Sequence, residues 1–267
     1  MEAAVSSTQN PRVKTLLALQ QKSAERRKSG LFVVEGRREL EHCLAAGYEV
    51  DSIFCLPSEE AVYTSVTPCI TVAPTLYERI AYRGTTEGVI AIVRSRELTL
   101  DDLSQRLQQK SGQPPLMVVL ERVEKPGNLG AVLRSADAAA ADAVIVCDPL
   151  TDLYNPNLIR ASIGAVFSVP VVACTSEDCI AWLKAQGIRI LTAQLQDSEL
   201  YYDTDMTAPT AIVMGTEATG LTPQWRQAAD AHIRIPMLGQ LDSLNVSVSA
   251  AILLFEAVRQ RQNQEPD

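Results

Sequence analysis

Ile235–Val258, reading IPMLGQLDSLNVSVSAAILLFEAV, is the stretch on which the fold turns. Just before it, His232-Ile233-Arg234-Ile235 is the end of a short apolar strand. Pro236 has no N–H to give a sheet ladder and stops that strand. A polar loop follows, Met237 to Leu244, carrying Gly239, Asp242 and Ser243. Gly239 permits a positive φ or the close approach of a ligand. Asn245 is placed to cap a helix. No charge then appears until Glu256. Ser247, Ser249, Ala250 and Ala251 keep this helix slim. Ile252, Leu253, Leu254 and Phe255 make it apolar nearly all round, the pattern of a buried helix. A polar loop on the N-terminus of a buried helix is a rigid mount for a small polar ligand. It is equally a plain core unit, and this stretch alone leaves both readings open.

Working outward, the same kind of unit recurs. LMVVLERV, 116–123, is too apolar for a half-exposed strand and reads as a central parallel strand. A helix over 128–141 follows, then strand AVIVC, 143–147, a polar loop, and a helix near 156–165. SVPVVA, 168–173, a helix over 176–186, IRILTA, 188–193, and TAIVMG, 210–215, continue the alternation. Strands separated by such helices mean an open, mostly parallel α/β sheet covered on both faces. The first half alternates on a smaller scale. LFVVEG (31–36), SIFCL (52–56), CITVA (69–73) and GVIAIV (88–93) read as strands, with helices over 37–47 and 76–83. That pattern predicts a small α/β sandwich. Asn10-Pro11 starts a helix over 11–29 that Gly30 stops. The expected organisation is a basic helical arm (1–29), a small α/β domain (30–95), a linker (96–115) and a second domain (116–267). LTLDDLSQRLQQ gives the linker a short helix, and SGQPP breaks it.

The chain has 267 residues, 46% hydrophobic and 21% charged, an ordinary globule with ample core. No uncharged apolar run reaches membrane-spanning length. The N-terminal MEAAVSSTQNPRVK lacks a basic-then-apolar leader pattern, so a cytoplasmic location is expected. Six cysteines (Cys43, Cys55, Cys69, Cys147, Cys174 and Cys179) form no C-x-x-C pair and read as reduced, mostly buried small hydrophobes. With only His42 and His232, a zinc site or Ser-His-Asp triad is disfavoured, and no metal is expected. The net charge of −8 counts against naive nucleic-acid binding, but distribution decides. Arg12, Lys14, Lys22, Arg26, Arg27 and Lys28 crowd the first thirty residues against Glu2 and Glu25 alone.

Ligands of open parallel sheets bind at the carboxyl ends of strands. Three polar, glycine-bearing loops of the second half lie there. In EKPGNLGAVLRSAD, 124–137, Pro126, Gly127 and Gly130 make a turn into a helix that Asn128 is suited to cap. Arg134 is a charged residue in a helix made mostly of Ala, Leu and Val. It is either a surface arginine or a contact for an anionic substrate. VMGTEATGL, 213–221, lacks the lysine of a nucleoside-triphosphate loop, and no G-x-G-x-x-G follows a strand. Glu217, just past an apolar strand, needs a partner, and Arg134 is the candidate. The third loop holds Ser243 and Asn245.

NLGAVLRS, VMGTEATGL and IPMLGQLDSLNVSVSAA, in this order and spacing, resemble the three signature motifs of the SpoU (TrmH-type) RNA ribose methyltransferases of the SPOUT class. The resemblance covers about 116–262. More loosely, FVVEGRRELEHCLAAG and GVIAIV resemble the ribosomal-protein-like substrate-binding domain found ahead of that fold. The resemblance implies an α/β sheet with its C-terminal segment threaded into a trefoil knot, and a homodimer built on the knotted domain. It implies S-adenosylmethionine as cofactor, held around Met214, Gly215, Glu217, Ile235, Met237, Leu244 and Asn245. It implies methyl transfer to a ribose 2′-hydroxyl, of ribosomal RNA before transfer RNA. Asn128, Arg134, Glu217, Ser243 and Asn245 match the family's catalytic positions. Arg12, Lys14, Arg26, Arg27, Lys28 and Arg37 are the expected RNA contacts. Two rival readings stand beside this one. One is a non-catalytic RNA-binding or assembly factor on the same fold. The other is a small-molecule enzyme on a generic α/β sheet, favoured by the acidic pI near 4.9.

Overall fold

The computed structural model describes residues 4–67, 69–82, 87–110, 112–216 and 219–262. The chain divides into two compact units, one of residues 1–96 with 152–168, the other of residues 97–151 with 169–267.

The first unit opens with α1 (Pro11–Gln21) and α2 (Ser23–Ser29). Asn10 caps α1 and Pro11 starts it, as the sequence suggests. The single helix expected over 11–29 is broken at Lys22, whose backbone is extended. Arg26 explains the break: its guanidinium turns back to donate to the carbonyls of Leu19 and Gln20 at the end of α1. These are the acceptors a terminating helix leaves unsatisfied. The 1–29 segment is also no separate arm. Val13, Leu16 and Leu19 of α1 are buried with Val33, Phe54 and Ile90 in one core. The remaining elements are β1 (Leu31–Glu35), α3 (Arg37–Ala45), β2 (Val50–Cys55), α4 (Glu60–Tyr63), β3 (Cys69–Thr71), α5 (Pro74–Ile80) and β4 (Val89–Arg94). The sheet order is β1-β4-β2-β3, with β4 antiparallel to both neighbours and β2 parallel to β3.

The second unit begins at α6 (Leu100–Gln109), held by a Thr99/Asp102 capping box. Then come β5 (Leu116–Glu121), α7 (Pro126–Ala138) and β6 (Ala143–Cys147). The chain next returns to the first unit with α8 (Pro156–Ser162) and α9 (Ala165–Ser168), separated by left-handed backbone at Ile163 and Gly164. There Asp152 pairs with Arg26 at 2.6 Å. Tyr154 stacks on Phe32 at 4.2 Å, and Phe167 meets both Phe32 and Tyr48. The expected 116–267 domain thus gives up residues 152–168.

The second unit resumes with β7 (Val171–Cys174), α10 (Ser176–Ala185), β8 (Arg189–Ala193), β9 (Glu199–Leu200), β10 (Thr210–Met214), α11 (Pro223–Ala228), β11 (Ala231–Arg234) and α12 (Val246–Gln262). The seven strands run in the order β7-β6-β5-β10-β8-β11-β9. Every described pairing is parallel. The central strands β5, β6 and β10 are buried along their whole length, as a sheet covered on both faces requires.

The long C-terminal helix departs from its expected burial. Phe255 is 47% exposed and Val248 likewise, whereas Glu256 is buried. Arg259 bonds to both Glu256 oxygens, at 2.9 and 2.7 Å, and with Gln260 holds that carboxyl below the usual carboxylate range. Arg261 is buried too and donates to the carbonyls of Met206, Pro114, Pro115 and Ala208. Polar groups thereby fix the helix end against the strand starts.

At the other end of the sheet, Glu121 terminates β5 at 1% exposure. It accepts from Thr222 N at 2.8 Å and Thr222 Oγ1 at 2.6 Å, while the Ser176 hydroxyl, 3.4 Å away, donates to Asp148 Oδ2 at 2.6 Å. Ser176 Oγ also accepts from Trp225 Nε1 at 3.1 Å. Two carboxylates, Glu121 and Asp148, therefore hold the starts of α11 and α10. Truncating Glu121 would strand the part-buried amide and hydroxyl of Thr222, at about 1–3 kcal/mol for such a loss. Glu121→Ala is expected to lower unfolding free energy by about that amount in urea titration; an unchanged midpoint would refute the role.

Candidate active site

The three loops singled out in the sequence leave the carboxyl ends of their strands. VMGTEATGL leaves β10 and closes on itself. Thr216 and Gly220 form an isolated bridge, with Gly220 N donating to Thr216 O at 3.0 Å. A Cβ on Gly215 would collide with the backbone of Gly220 and Leu221, so only glycine fits there. Gly239 differs: its φ is not positive and an added Cβ would touch nothing, so neither reason expected for a glycine applies. Glu217 lies outside the described residues.

Asn245 caps α12. Its Oδ1 accepts from Ser247 N at 3.0 Å and from Ser247 Oγ at 2.6 Å. Its Nδ2 donates to Asn128 Oδ1 at 3.2 Å, across 117 residues of sequence. Asn128 is not the cap of α7, because Pro126 already opens that helix and Lys125 precedes it. Asn128 instead sits in the first turn, where its side chain meets the third loop. Helices α7 and α12 pack together along their length. Arg134 lies on α7, exposed, and makes no ion pair with another described residue. Ser243 is exposed and donates to Asp242 Oδ1 at 3.2 Å.

Between the β8, β10 and β11 loops opens a cleft of about 550 Å³. That is within the range of small-molecule sites. Met214, Gly215, Ile235, Met237, Ser243, Leu244 and Asn245 all line it. Asn128 and Arg134 do not; Asn128 meets the rim through its bond to Asn245. Sequence reading missed the β8 side of the cleft, Gln194 and Gln196, together with Arg226 and Arg234. The rule that pointed to the other loops applies equally to Ala193, the last residue of β8, but no glycine marks that turn. Arg226 donates to Gln196 Oε1 at 3.3 Å and Arg234 to Ser198 Oγ at 3.5 Å, both long contacts. Gln194 Nε2 bonds to Gln196 O at 2.9 Å, whereas its Oε1 is buried with no partner among the described residues. An orphaned buried acceptor in a cleft calls for an N–H or O–H from a ligand.

The cleft therefore combines apolar walls (Ile233, Ile235, Leu244 and the two methionines) with guanidinium groups and an unpaired amide oxygen. Flat aromatic rings, a thioether-like chain and a carboxylate are all accommodated by such a donor set. S-adenosylmethionine has these parts, and the residues fit it.

Residues 115–255 match the SpoU rRNA methylase family, and residues 10–91 match the MRM3-like substrate-binding domain. The chain belongs to the SpoU rRNA methylase family. It is accordingly an S-adenosylmethionine-dependent RNA methyltransferase by class. It is 31% identical to the 23S rRNA (uridine(2479)-2′-O)-methyltransferase of Streptomyces viridochromogenes, over 96% of this chain and 92% of that one. It is 39% identical to the 23S rRNA (guanosine-2′-O-)-methyltransferase RlmB of Pseudomonas syringae pv. tomato, over 67% of this chain and 72% of the relative. Among solved structures, the AdoMet-bound rRNA methyltransferase of Sinorhizobium meliloti superimposes with a TM-score of 0.87 at 30% identity, covering 99% of each chain.

The orphaned oxygen gives a direct check of the cleft. Replacing it by an apolar group of similar size in Gln194→Leu is expected to weaken S-adenosylmethionine binding five- to tenfold, about 1–1.5 kcal/mol. Isothermal titration giving the wild-type constant would show that Gln194 faces no ligand.

Proposed function

We propose that this protein methylates a ribose 2′-hydroxyl of 23S ribosomal RNA. The observation that carries the reading is the meeting of all three motif loops: the cleft lined by Met214, Gly215, Ile235, Ser243 and Asn245, with Asn245 bonded to Asn128 at its edge. Relatives of matching length act on 23S rRNA, and a domain of the substrate-binding type precedes the catalytic one. The 2′-hydroxyl is also the group that distinguishes RNA from DNA.

When bound, S-adenosylmethionine supplies a methyl group already activated on a sulfonium centre. What is left to the residues of this chain is to align a weakly nucleophilic hydroxyl and to manage its proton. Orientation alone contributes about 7–11 kcal/mol in favourable cases. Guanidinium groups do not give up protons near neutral pH. Arg134 is therefore assigned to gripping the phosphate beside the target ribose and stabilising the developing alkoxide. Glu217 is assigned to holding Arg134. Asn128 and Ser243 orient the hydroxyl, and Asn245 braces the loop. Arg226 and Arg234 offer cationic partners to a carboxylate inside the cleft.

For the RNA interface, Arg12, Lys14, Arg27 and Lys28 are exposed cations on the first two helices. Arg26 is withdrawn from that set, because its guanidinium is buried and committed to Asp152 and two carbonyls. Arg37 is half-exposed but pairs with Glu59 at 2.7 Å, which raises its already high pKa, so RNA would have to displace that carboxylate.

A homodimer through the second unit belongs to the same proposal. On α12, Val248 and Phe255 are seven residues apart and face outward, while Leu238 and Leu241 project from the preceding loop. So does the threaded trefoil knot. It is supported by the way the chain leaves β11, near one sheet edge, and returns as α12 to pack on α7 and β10. The cytoplasm is the compartment proposed, and no described helix is long and apolar enough to cross a membrane.

Arg134→Ala should abolish radiolabel transfer to ribosomal RNA and leave S-adenosylmethionine affinity within about twofold, the signature of lost transition-state stabilisation. Wild-type turnover in that variant would remove Arg134 from the mechanism. Phe255→Glu should convert the dimer to a monomer in sedimentation equilibrium; a native chain already monomeric would refute the assembly.

A further inference from the structure

Three cysteines that look unrelated in the sequence meet in the second unit. Cys147 ends β6, Cys174 ends β7, and Cys179 lies near the start of α10. Their sulfur atoms all lie within 4.8 Å of one another. Cys147 and Cys174 face each other in register across the parallel strand pair. Cys147 and Cys179 are fully buried, while Cys174 is half-buried on the edge strand of the sheet. Cys174 is thus the least buried of the three, and the other two stand behind it.

The surroundings decide what such a cluster can hold. Among the described residues no fourth His, Cys, Asp or Glu joins the three. The walls are apolar, including Val172, Leu183 and Ile145. The charged groups that act on Cys174 are the carboxylates of Asp178 and Asp148. Three thiolates around Cu(I) would carry two net negative charges. Around Zn(II) they would carry one and still need a fourth ligand. Burying such charge beside carboxylates, without a cation, is costly. Three thiolates around a trivalent metalloid are uncharged and complete at three bonds.

We propose that Cys147, Cys174 and Cys179 form a binding site for a trivalent thiophilic metalloid, with arsenite as its simplest member. Three As–O bonds of arsenous acid are exchanged for three As–S bonds. Each thiol proton leaves with a hydroxyl group as water, so three waters are released and nothing is oxidised or reduced. Cys174, the least buried of the three, bonds first; Cys147 and Cys179 complete the shell. The product joins the ends of two strands to the start of a helix.

The full-length chain, reduced and under inert gas, is titrated with sodium arsenite. One arsenic per chain by native mass spectrometry, with three sulfur neighbours in X-ray absorption, is expected. Cys55 and Cys69, on paired strands of the other sheet, are the rival thiols. Cys174→Ser should lose at least tenfold in arsenite affinity, while Cys69→Ser keeps the native value. Arsenite should also raise the melting temperature of the native chain but not that of Cys174→Ser. A two-sulfur shell, no adduct, or an adduct undiminished in Cys174→Ser overturns the proposal. Should that variant misfold by circular dichroism, the double variant Cys55→Ser/Cys69→Ser decides: a retained three-sulfur adduct supports the site, and its loss sinks it.

Discussion

A carboxylate with almost no exposure, Glu121, sets the geometry at the working end of the larger sheet. A buried carboxylate is tolerable only when donors surround it. Here both donors come from Thr222, 101 residues along the chain at the start of α11, while the neighbouring Ser176 hydroxyl at the start of α10 is held by Asp148. Satisfying Glu121 fixes where α11 starts, and the loop from Gly215 to Leu221 runs directly into it. Trp225, itself fully buried, joins the arrangement through Ser176. The loop therefore has one end defined by β10 and the other by a cluster of hydrogen bonds, not by its own short sequence.

The third loop is held differently. Its far end is the cap of α12, where one asparagine serves three donors or acceptors: Ser247 N, Ser247 Oγ and Asn128. The helix behind it is secured at its other end by Arg261, which reaches four carbonyls. A helix fastened at both ends can leave one face, with Val248 and Phe255, outward without losing its place. Support comes from polar contacts at the termini, and apolar surface is left exposed.

Much of this was legible because hydrophobic runs and strand-end glycines follow simple rules. LMVVLERV and TAIVMG announced buried parallel strands, and Asn245 announced a helix start. The motif loops were legible because they sit where parallel sheets bind ligands. What escaped was whatever depended on long-range partners. Nothing near Lys22 signals a break, since no glycine or proline stands there; a side chain four residues later makes the break possible. Phe255 is exposed where burial was expected, while its neighbour Glu256 is buried because Arg259 and Gln260 supply its carboxylate with donors. Gln194 carries no local mark at all, and its orphaned oxygen is visible only once the cleft is assembled. The three converging cysteines lie on separate elements, so no spacing rule could join them.

The excursion of residues 152–168 into the first unit has an evolutionary consequence. The front half is not a cassette that a single recombination could move. Cut at residue 96, it would leave behind the ring that stacks on Phe32 and the carboxylate that neutralises Arg26. A lineage exchanging its first unit must inherit two separated gene segments together, so drift in one is answerable to the other.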